Sequence, residues 1–136
     1  MRYLSIDYGA KRTGLAICDA GEIIASPLAV LHGQKGLLEK IAQVVQTEGV
    51  QAIVLGLPLN MDDSQGPQAG IVLKFAEQLK KYVNIPIHFQ DERLSSFGAE
   101  DKLASVEIPK AEKKKRLDAI AAAEILEAFL EQKREK

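Results

Sequence analysis

The sequence has one cysteine, almost no net charge and no apolar run long enough to cross a bilayer. Because Cys18 is the sole thiol, an internal disulfide and a zinc site built from cysteines are excluded, and a reducing compartment is favoured. The net charge of −1 excludes a global attraction to nucleic acid, so such a partner would have to bind local basic patches. The sequence starts without a signal-peptide pattern, and we therefore expect a cytoplasmic protein with no membrane partner.

The size and composition are those of one globular domain. The chain has 136 residues, of which 46% are hydrophobic and 27% are charged. Domains of roughly 100–150 residues are the commonest, and this balance of residues is ordinary for a folded protein. The sequence contains no internal repeat and no linker, so we predict one domain over residues 1–136.

The periodicity of apolar residues predicts an α/β fold, in which three short strands joined by tight turns precede alternating helices and strands. The predicted strands cover residues 4–7, 14–17, 23–31, 51–58 and 85–92, and the predicted helices cover 37–45, 72–83, 117–126 and a short segment from 95 or 96 to 103. Pro27 should place the third strand at an edge or a bulge, because proline has no N–H to donate. Helical crossovers require parallel pairing of the later strands. A five-stranded mixed sheet in the order 3-2-1-4-5, flanked by helices on both faces, follows.

Carboxylates are expected to gather at one edge of this sheet. The acids in question follow strand ends or begin a helix: Asp7, Asp91, Glu92 and Asp118. Ligands of open α/β sheets bind outside the carboxyl ends of the parallel strands. Converging carboxylates repel each other unless cations are present, and sites made of oxygen atoms select Mg²⁺ or Mn²⁺. A carboxylate triad is the usual support for two metal ions in phosphodiester cleavage.

Basic residues accompany these acids. Lys11 and Arg12 lie in the first turn, Arg93 follows the fifth strand, and residues 110–116 form a basic cluster rich in lysine. Such side chains would neutralise phosphates and orient a nucleic-acid strand. Within the basic cluster, Lys114 would lie one helical turn before the acid of the last helix and so share its face.

Each of these residues also has a purely structural explanation. Asp7 precedes a glycine turn and could bond only to its own backbone. Asp118 could favour the first turn of a helix, and the segment from Asp91 to Arg93 could be a solvated loop with an internal ion pair. The basic cluster could be solvated, although unpaired cations at a helix start oppose the helix dipole and so favour phosphate binding.

Four separated motifs together resemble the YqgF family, also called RuvX, in order and over nearly the whole chain. These motifs are Asp7-Tyr8-Gly9 with Lys11-Arg12-Thr13-Gly14, Gly56-Leu57-Pro58 with Asn60-Met61-Asp62, Asp91-Glu92-Arg93-Leu94-Ser95-Ser96, and Asp118-Ala119 before Ala121-Ala122. This bacterial family comprises pre-16S rRNA nucleases that are also described as similar to Holliday junction resolvases. The resemblance implies an RNase H-like fold, a metal-dependent nuclease activity and a role in ribosome biogenesis, namely maturing the 5′ end of 16S rRNA.

The resemblance also implies roles for individual residues. Asp7 matches the acid of the first strand, Glu92 or Asp91 the acid of the Asp-Glu-Arg motif, and Asp118 the acid of the last helix. The predicted catalytic residues and ligands of Mg²⁺ or Mn²⁺ are therefore Asp7, Glu92 and Asp118. The predicted substrate-binding residues are Lys11, Arg12, Arg93 and Lys114.

The chain departs from the wider superfamily at the fourth strand. Many RNase H-like nucleases carry their second acid there, where this chain has Gly56-Leu57-Pro58. The identity of the residue that completes the triad therefore stays open. Asp62 or Asp63 in the following loop is an alternative metal ligand.

Four functions are compatible with the sequence. The leading hypothesis is cleavage of structured RNA, with precursor rRNA or pre-ribosomal particles as partners and a monomer or homodimer as the active form. The second is cleavage of branched DNA, which would require a dimer presenting two sites. An actin-like ATPase is the third, because Asp7 with its glycine and basic turn resembles a phosphate motif of those proteins, but they need two such domains. The fourth is a catalytically silent RNA-binding module.

Overall fold

A computed structural model describes residues 1–58, 66–92 and 110–135, and their side chains except those of 110–116. Within these ranges the chain forms five strands and three helices. They are β1 (Tyr3–Asp7), β2 (Arg12–Cys18), β3 (Ala25–His32), α1 (Leu37–Thr47), β4 (Ala52–Leu57), α2 (Pro67–Leu79), β5 (Ile87–Asp91) and α3 (Lys110–Arg134). In the part of the chain so described, no helix combines the length and the apolar character that a bilayer span requires. The short helix predicted from residue 95 or 96 to 103 lies outside the described residues.

The five strands form one mixed sheet in the order β3-β2-β1-β4-β5, as predicted. The first three strands pair antiparallel as a meander, and β4 and β5 join parallel to β1. The β2–β3 ladder shifts register between Leu15 and Ala16, where Pro27 becomes the partner of Ala16. This irregularity next to a proline, in a strand at the sheet edge, confirms the prediction for Pro27.

The two faces of the sheet carry side chains of different size. One face, the aliphatic face, packs against α1 and α2 and presents large buried residues: Leu4, Ile6, Leu15, Ile17, Ile53 and Leu55. The other, the α3 face, packs against α3 and includes Tyr3, Ser5, Ala16, Cys18, Ala52 and Val54. Each fully buried leucine or isoleucine on the aliphatic face contributes roughly 1.5–3 kcal/mol. Small residues on the α3 face instead let the helix approach the sheet closely.

Several elements begin at a different residue from the one predicted. β3 starts at Ala25, two residues later than expected, because the Asp19 carboxylate accepts hydrogen bonds from the backbone N–H groups of Ile23 and Ile24 at 2.8 and 2.9 Å and extends the turn. α2 starts five residues earlier than expected, at Pro67, since proline at a first helical position loses no hydrogen bond. β5 starts after Pro86 rather than at residue 85.

The last helix is longer at both ends than the predicted span of 117–126. It begins at Lys110, so the basic cluster is already helical. At its other end, where the charge-rich sequence predicts fraying, the helix continues to Arg134. Lys133 makes an ion pair with Glu22 at 2.8 Å, and Arg134 donates to the Glu22 carbonyl at 3.1 Å, which together fix this end to the β2–β3 turn.

Candidate active site

Asp7 is the last residue of β1 and lies at the edge of the sheet where the parallel strands β4 and β5 also end. The pKa of its carboxyl group is raised from 3.8 to about 9, chiefly by burial, then by a hydrogen bond with Glu92 and by the negative charges of Glu92 and Asp118. At neutral pH a proton therefore stays on this group unless a cation compensates the charge. Of the predicted acids, Glu92 is therefore in hydrogen-bond contact with Asp7, and Asp118 is near enough for its charge to act on Asp7.

Glu92 reaches Asp7 across Gly56 of β4. A side-chain carbon placed on Gly56 would lie 2.7 Å from Glu92 Oε1 and 2.7 Å from the Cδ1 atom of Ile125, so the space above this glycine is already filled. In the β4–β5 ladder, Asp91 pairs with Leu57, the residue after Gly56. Because side chains alternate along a strand, Asp91 faces the side of the sheet opposite to Gly56. Gly56 of β4 therefore leaves space for the side chain of Glu92, which follows β5.

Asp118 lies roughly two turns into α3, because the helix begins at Lys110. The sequence-based expectation that Asp118 begins the helix is therefore wrong. The structural explanation of Asp118 as a first-turn acid is also wrong, since the helix dipole acts only within the first turn. Its carboxylate instead accepts a hydrogen bond from Arg12 Nε at 2.8 Å, in a half-exposed ion pair between α3 and β2.

The backbone of α3 lies very close to the sheet at Asp118. A side-chain carbon on Gly14 would collide with the carbonyl group of Asp118 and with the backbone nitrogen of Ala119. One turn further, the buried Ser5 hydroxyl donates to the Ala122 carbonyl at 2.5 Å. These two contacts fix the helix axially, so that Asp118 stays beside the end of β1.

The turn between β1 and β2, which carries the exposed Lys11, is held by Gln34. The Gln34 side-chain amide donates to the carbonyl groups of Gly9 and Ala10 at 3.0 Å each, and its oxygen accepts from the Tyr8 hydroxyl at 2.7 Å. Nothing in the sequence indicates this role of Gln34, because the segment from His32 to Gly36 resembles an ordinary loop. No local pattern signals a contact between residues this far apart.

The sequence as a whole matches a known protein family. Residues 1–132 match the family model described as RuvX, Holliday junction resolvase. The chain belongs to the RuvX family. A relative from Maridesulfovibrio salexigens, provisionally named pre-16S rRNA nuclease, is 41% identical over 132 residues, which are 96% of this chain and 98% of the relative. The resemblance predicted from the four motifs is confirmed.

Solved structures of Holliday junction resolvases share the fold of this RuvX chain. The Thermus thermophilus RuvC in complex with a Holliday junction aligns with a TM-score of 0.63 at 14% identity, covering 98% of this chain and 96% of that one. The fowlpox virus resolvase in complex with Holliday junction DNA aligns with a TM-score of 0.59 at 15% identity, covering 97% and 98%. These likenesses confirm the predicted RNase H-like fold class.

Some predicted site residues of this RuvX chain lie outside the described residues. These are Arg93 and the alternative ligands Asp62 and Asp63. Lys114 belongs to the described backbone of α3 but its side chain does not. Because the helix already includes Lys110, the two positions 114 and 118 are separated by about one helical turn and share a face.

The carboxylates at the candidate site of this RuvX chain are of the ligand type that hard divalent cations prefer. The carboxyl groups of Asp7 and Glu92 are joined by a hydrogen bond, which requires a proton on one of them, and carboxylate oxygens are the ligands that Mg²⁺ and Ca²⁺ prefer. Among the described residues, no group of three or more His, Cys, Asp or Glu side chains is arranged to hold a metal ion. The third carboxylate, that of Asp118, forms an ion pair with Arg12.

Proposed function

We propose that this RuvX chain is a nuclease that hydrolyses phosphodiester bonds of structured RNA, and that its substrate is the precursor of 16S rRNA. The observation that carries the proposal is the carboxyl pair of Asp7 and Glu92 with Asp118 at the sheet edge. A partly buried pair that has to retain a proton is unfavourable for a purely structural cluster. The name of the Maridesulfovibrio salexigens relative supports rRNA as the substrate.

Asp7, Glu92 and Asp118 would hold one or two Mg²⁺ or Mn²⁺ ions. When bound, such ions lower the pKa of an attacking water and stabilise the departing oxygen. The chain's own contribution is the position of the ligands: Asp7 is fixed by the β1 ladder, and Asp118 by the contact of its backbone with Gly14. Glu92 lies over Gly56, where side chains from the sheet cannot displace it.

Arg12 has two roles in this proposal. Its Nε–H group orients the Asp118 carboxylate, and guanidinium has further N–H groups that remain for a substrate phosphate. Lys11 in the same exposed turn adds a second positive charge. The other predicted substrate-binding residues, Arg93 and Lys114, belong to the proposal on sequence grounds. The protein would work in the cytoplasm as a monomer or homodimer, on free precursor rRNA or pre-ribosomal particles.

The experiment is an incubation of the purified protein with a 16S rRNA precursor that retains its 5′ extension, with Mg²⁺, with Mn²⁺ or with chelator. We expect cleavage only when a metal ion is present, and loss of most of it in Asp7→Asn. A parent protein that cuts equally well in chelator, or an Asp7→Asn variant that cuts at the parent rate, would contradict the proposed metal-dependent function. Retained RNA binding without any cleavage by the parent would instead support the silent RNA-binding module.

Resolution of branched DNA is the second candidate, and the shared fold with two resolvases in complex with Holliday junctions favours it. Symmetric resolution needs two sites on one junction, hence a dimer. A four-way DNA junction in the same incubation tests this candidate directly. Faster cleavage of the junction than of the precursor rRNA would replace the first proposal by the second.

A further inference from the structure

A groove of about 530 Å³ runs along the α3 face between the edge strand β3 and α3. Pro27, Val30 and His32 form its strand side, and Ala119 and Ile120 form its helix side. The volume lies within the range of about 300–1,000 Å³ typical of small-ligand pockets. The groove is therefore large enough for a flat ring, and its position in the fold indicates what such a ring would belong to.

One end of the groove opens at the candidate active site. His32 is the partner of Arg12 in the β2–β3 ladder, so the two side chains leave the sheet on the same face. Ala119 directly follows Asp118, which is bonded to Arg12. A polynucleotide with one phosphate at the carboxylates would therefore have its neighbouring nucleotide at the mouth of this groove.

The residues that line the groove favour an uncharged nucleobase over a phosphate group or a charged side chain of a peptide. Within the described residues, the side chains that line the groove are apolar apart from that of His32, and no Lys, Arg, Asp or Glu is among them. An exposed imidazole beside apolar side chains is a surface on which bases stack, as they do on aromatic residues of single-strand binding proteins. A base in a duplex is already stacked on its neighbours, so only an unpaired nucleotide could enter.

We propose that this groove binds the base of an unpaired nucleotide next to the phosphate that is cut, with His32 as the stacking residue. The inference rests on the proposed nuclease function for the identity of that phosphate. It deepens that function by defining the substrate class, which is RNA with an unpaired strand at the cleavage point rather than a continuous duplex. His32 then contributes to specificity.

The test compares binding of two RNAs in chelator, so that no cleavage is needed. One is a hairpin with an unpaired 5′ extension, and the other is the same hairpin with a blunt end. His32→Ala removes the ring, Val30→Phe fills the groove, and His32→Phe keeps an aromatic ring without the imidazole nitrogens. His88→Ala is the matched control, because His88 is also an exposed histidine on an edge strand, but on β5 at the opposite side of the sheet.

We expect His32→Ala and Val30→Phe to weaken binding of the extended hairpin about 5- to 50-fold, as for loss of a stacked base. Binding of the blunt hairpin should not change, which also shows that the variants are folded. His32→Phe and His88→Ala should bind both RNAs like the parent. A fluorescent base analogue in the extension should be quenched by the parent and by His32→Phe, and not by His32→Ala.

The proposal is overturned if the parent does not prefer the extended hairpin, or if both groove variants bind it with the parent affinity. Equal losses on the two RNAs would overturn it as well, because they would indicate a general effect on the surface. These outcomes are separate from the fate of the nuclease proposal. A parent that prefers the extended hairpin but does not cut precursor rRNA with Mg²⁺ or Mn²⁺ fails only the proposed function.

Discussion

The backbone carbonyl of Asp118 lies directly over Gly14, so close that no side chain fits at this position of β2. Gly14→Ala should therefore push the helix outward and carry the Asp118 carboxylate away from Asp7. We expect a loss of about 1–3 kcal/mol in the free energy of unfolding, as for other overpacked sites. Cleavage should fall by about 100-fold, because a shift near 1 Å has that effect on reacting groups.

The matched control for this prediction is Gly70→Ala. Gly70 lies in α2 with open space around the position that a Cβ would take. Alanine should therefore leave cleavage unchanged and raise the free energy of unfolding by up to about 1 kcal/mol. Parent-like stability and cleavage in Gly14→Ala would show that α3 tolerates a different position on the sheet.

The raised pKa of Asp7 predicts how stability depends on pH. The unfolded chain loses this proton near 3.8, whereas the folded chain keeps it up to about 9. Between these values the folded state binds more protons than the unfolded state, so the Asp7 contribution to stability falls as pH rises, by up to about 1.4 kcal/mol per pH unit. Asp7→Asn should lack this decline and be the more stable protein in metal-free buffer at neutral pH. Urea unfolding at several pH values measures the free energy of unfolding of both proteins. Parallel pH dependences of the parent and Asp7→Asn would contradict the prediction.

Metal addition provides the complementary measurement on the same two proteins. Mg²⁺ or Mn²⁺ should stabilise the parent, with an increment that follows the logarithm of metal concentration over its dissociation constant. The increment should be smaller in Asp7→Asn, which lacks one anionic ligand. Thermal unfolding at rising metal concentration gives both increments. Identical increments would show that the ion binds elsewhere on the protein.

Ala122 predicts a packing effect that is independent of the acids. It is fully buried against Ala16 on the α3 face, and its carbonyl accepts the Ser5 hydrogen bond. Ala122→Leu should lower the free energy of unfolding by about 1–3 kcal/mol through overpacking. Ala121→Leu, at the preceding and partly exposed position, should change it much less. Equal denaturation midpoints for the two variants would contradict the close packing of the helix.

The basic cluster predicts a salt effect on nucleic-acid binding. Lys114 is about one helical turn from Asp118 on α3, so we expect the cluster to contact substrate phosphate. Replacing Lys113, Lys114 and Lys115 together by alanine should weaken RNA binding and flatten its salt dependence by roughly 0.7–0.9 units of slope per lost contact. The control replaces Lys80 and Lys81, two exposed lysines after α2. Unchanged slopes in the triple variant would identify the cluster as a solvated surface.

Much of the fold was predictable because it follows from local patterns. The tight turns after Asp7 and Asp19 produce a meander, and two helical crossovers then leave one strand order. What local patterns could not predict is the length of the β2–β3 turn, which depends on two hydrogen bonds to the Asp19 side chain. Local patterns also do not predict the start of α3, because apolar periodicity begins only at Leu117 while the helix begins at Lys110.

The candidate site was predictable as a set of residue types and less so as a set of contacts. Asp7, Glu92 and Asp118 are predicted from the sequence, and the structure places Glu92 in hydrogen-bond contact with Asp7 and the charge of Asp118 near it. The sequence left open whether Asp91 or Glu92 faces Asp7, because this depends on how the chain leaves β5. The ion pair between Arg12 and Asp118 joins residues far apart in the chain, so no spacing rule could have indicated it. Arg93, Asp62 and Asp63 stay predictions.

Because α3 follows all five strands in the sequence, its packing on the sheet has a consequence during protein synthesis. All five strands are complete at Asp91, whereas α3 begins at Lys110. During synthesis the sheet can therefore leave the ribosome with its α3 face still bare and with Asp118 not yet beside Asp7. A nascent chain in this state has two of its three acids and an exposed apolar surface at once. When α3 packs on the sheet, it covers this apolar surface and brings Asp118 beside Asp7 at the same time. A growing chain whose apolar surface is still exposed therefore also has an incomplete candidate site.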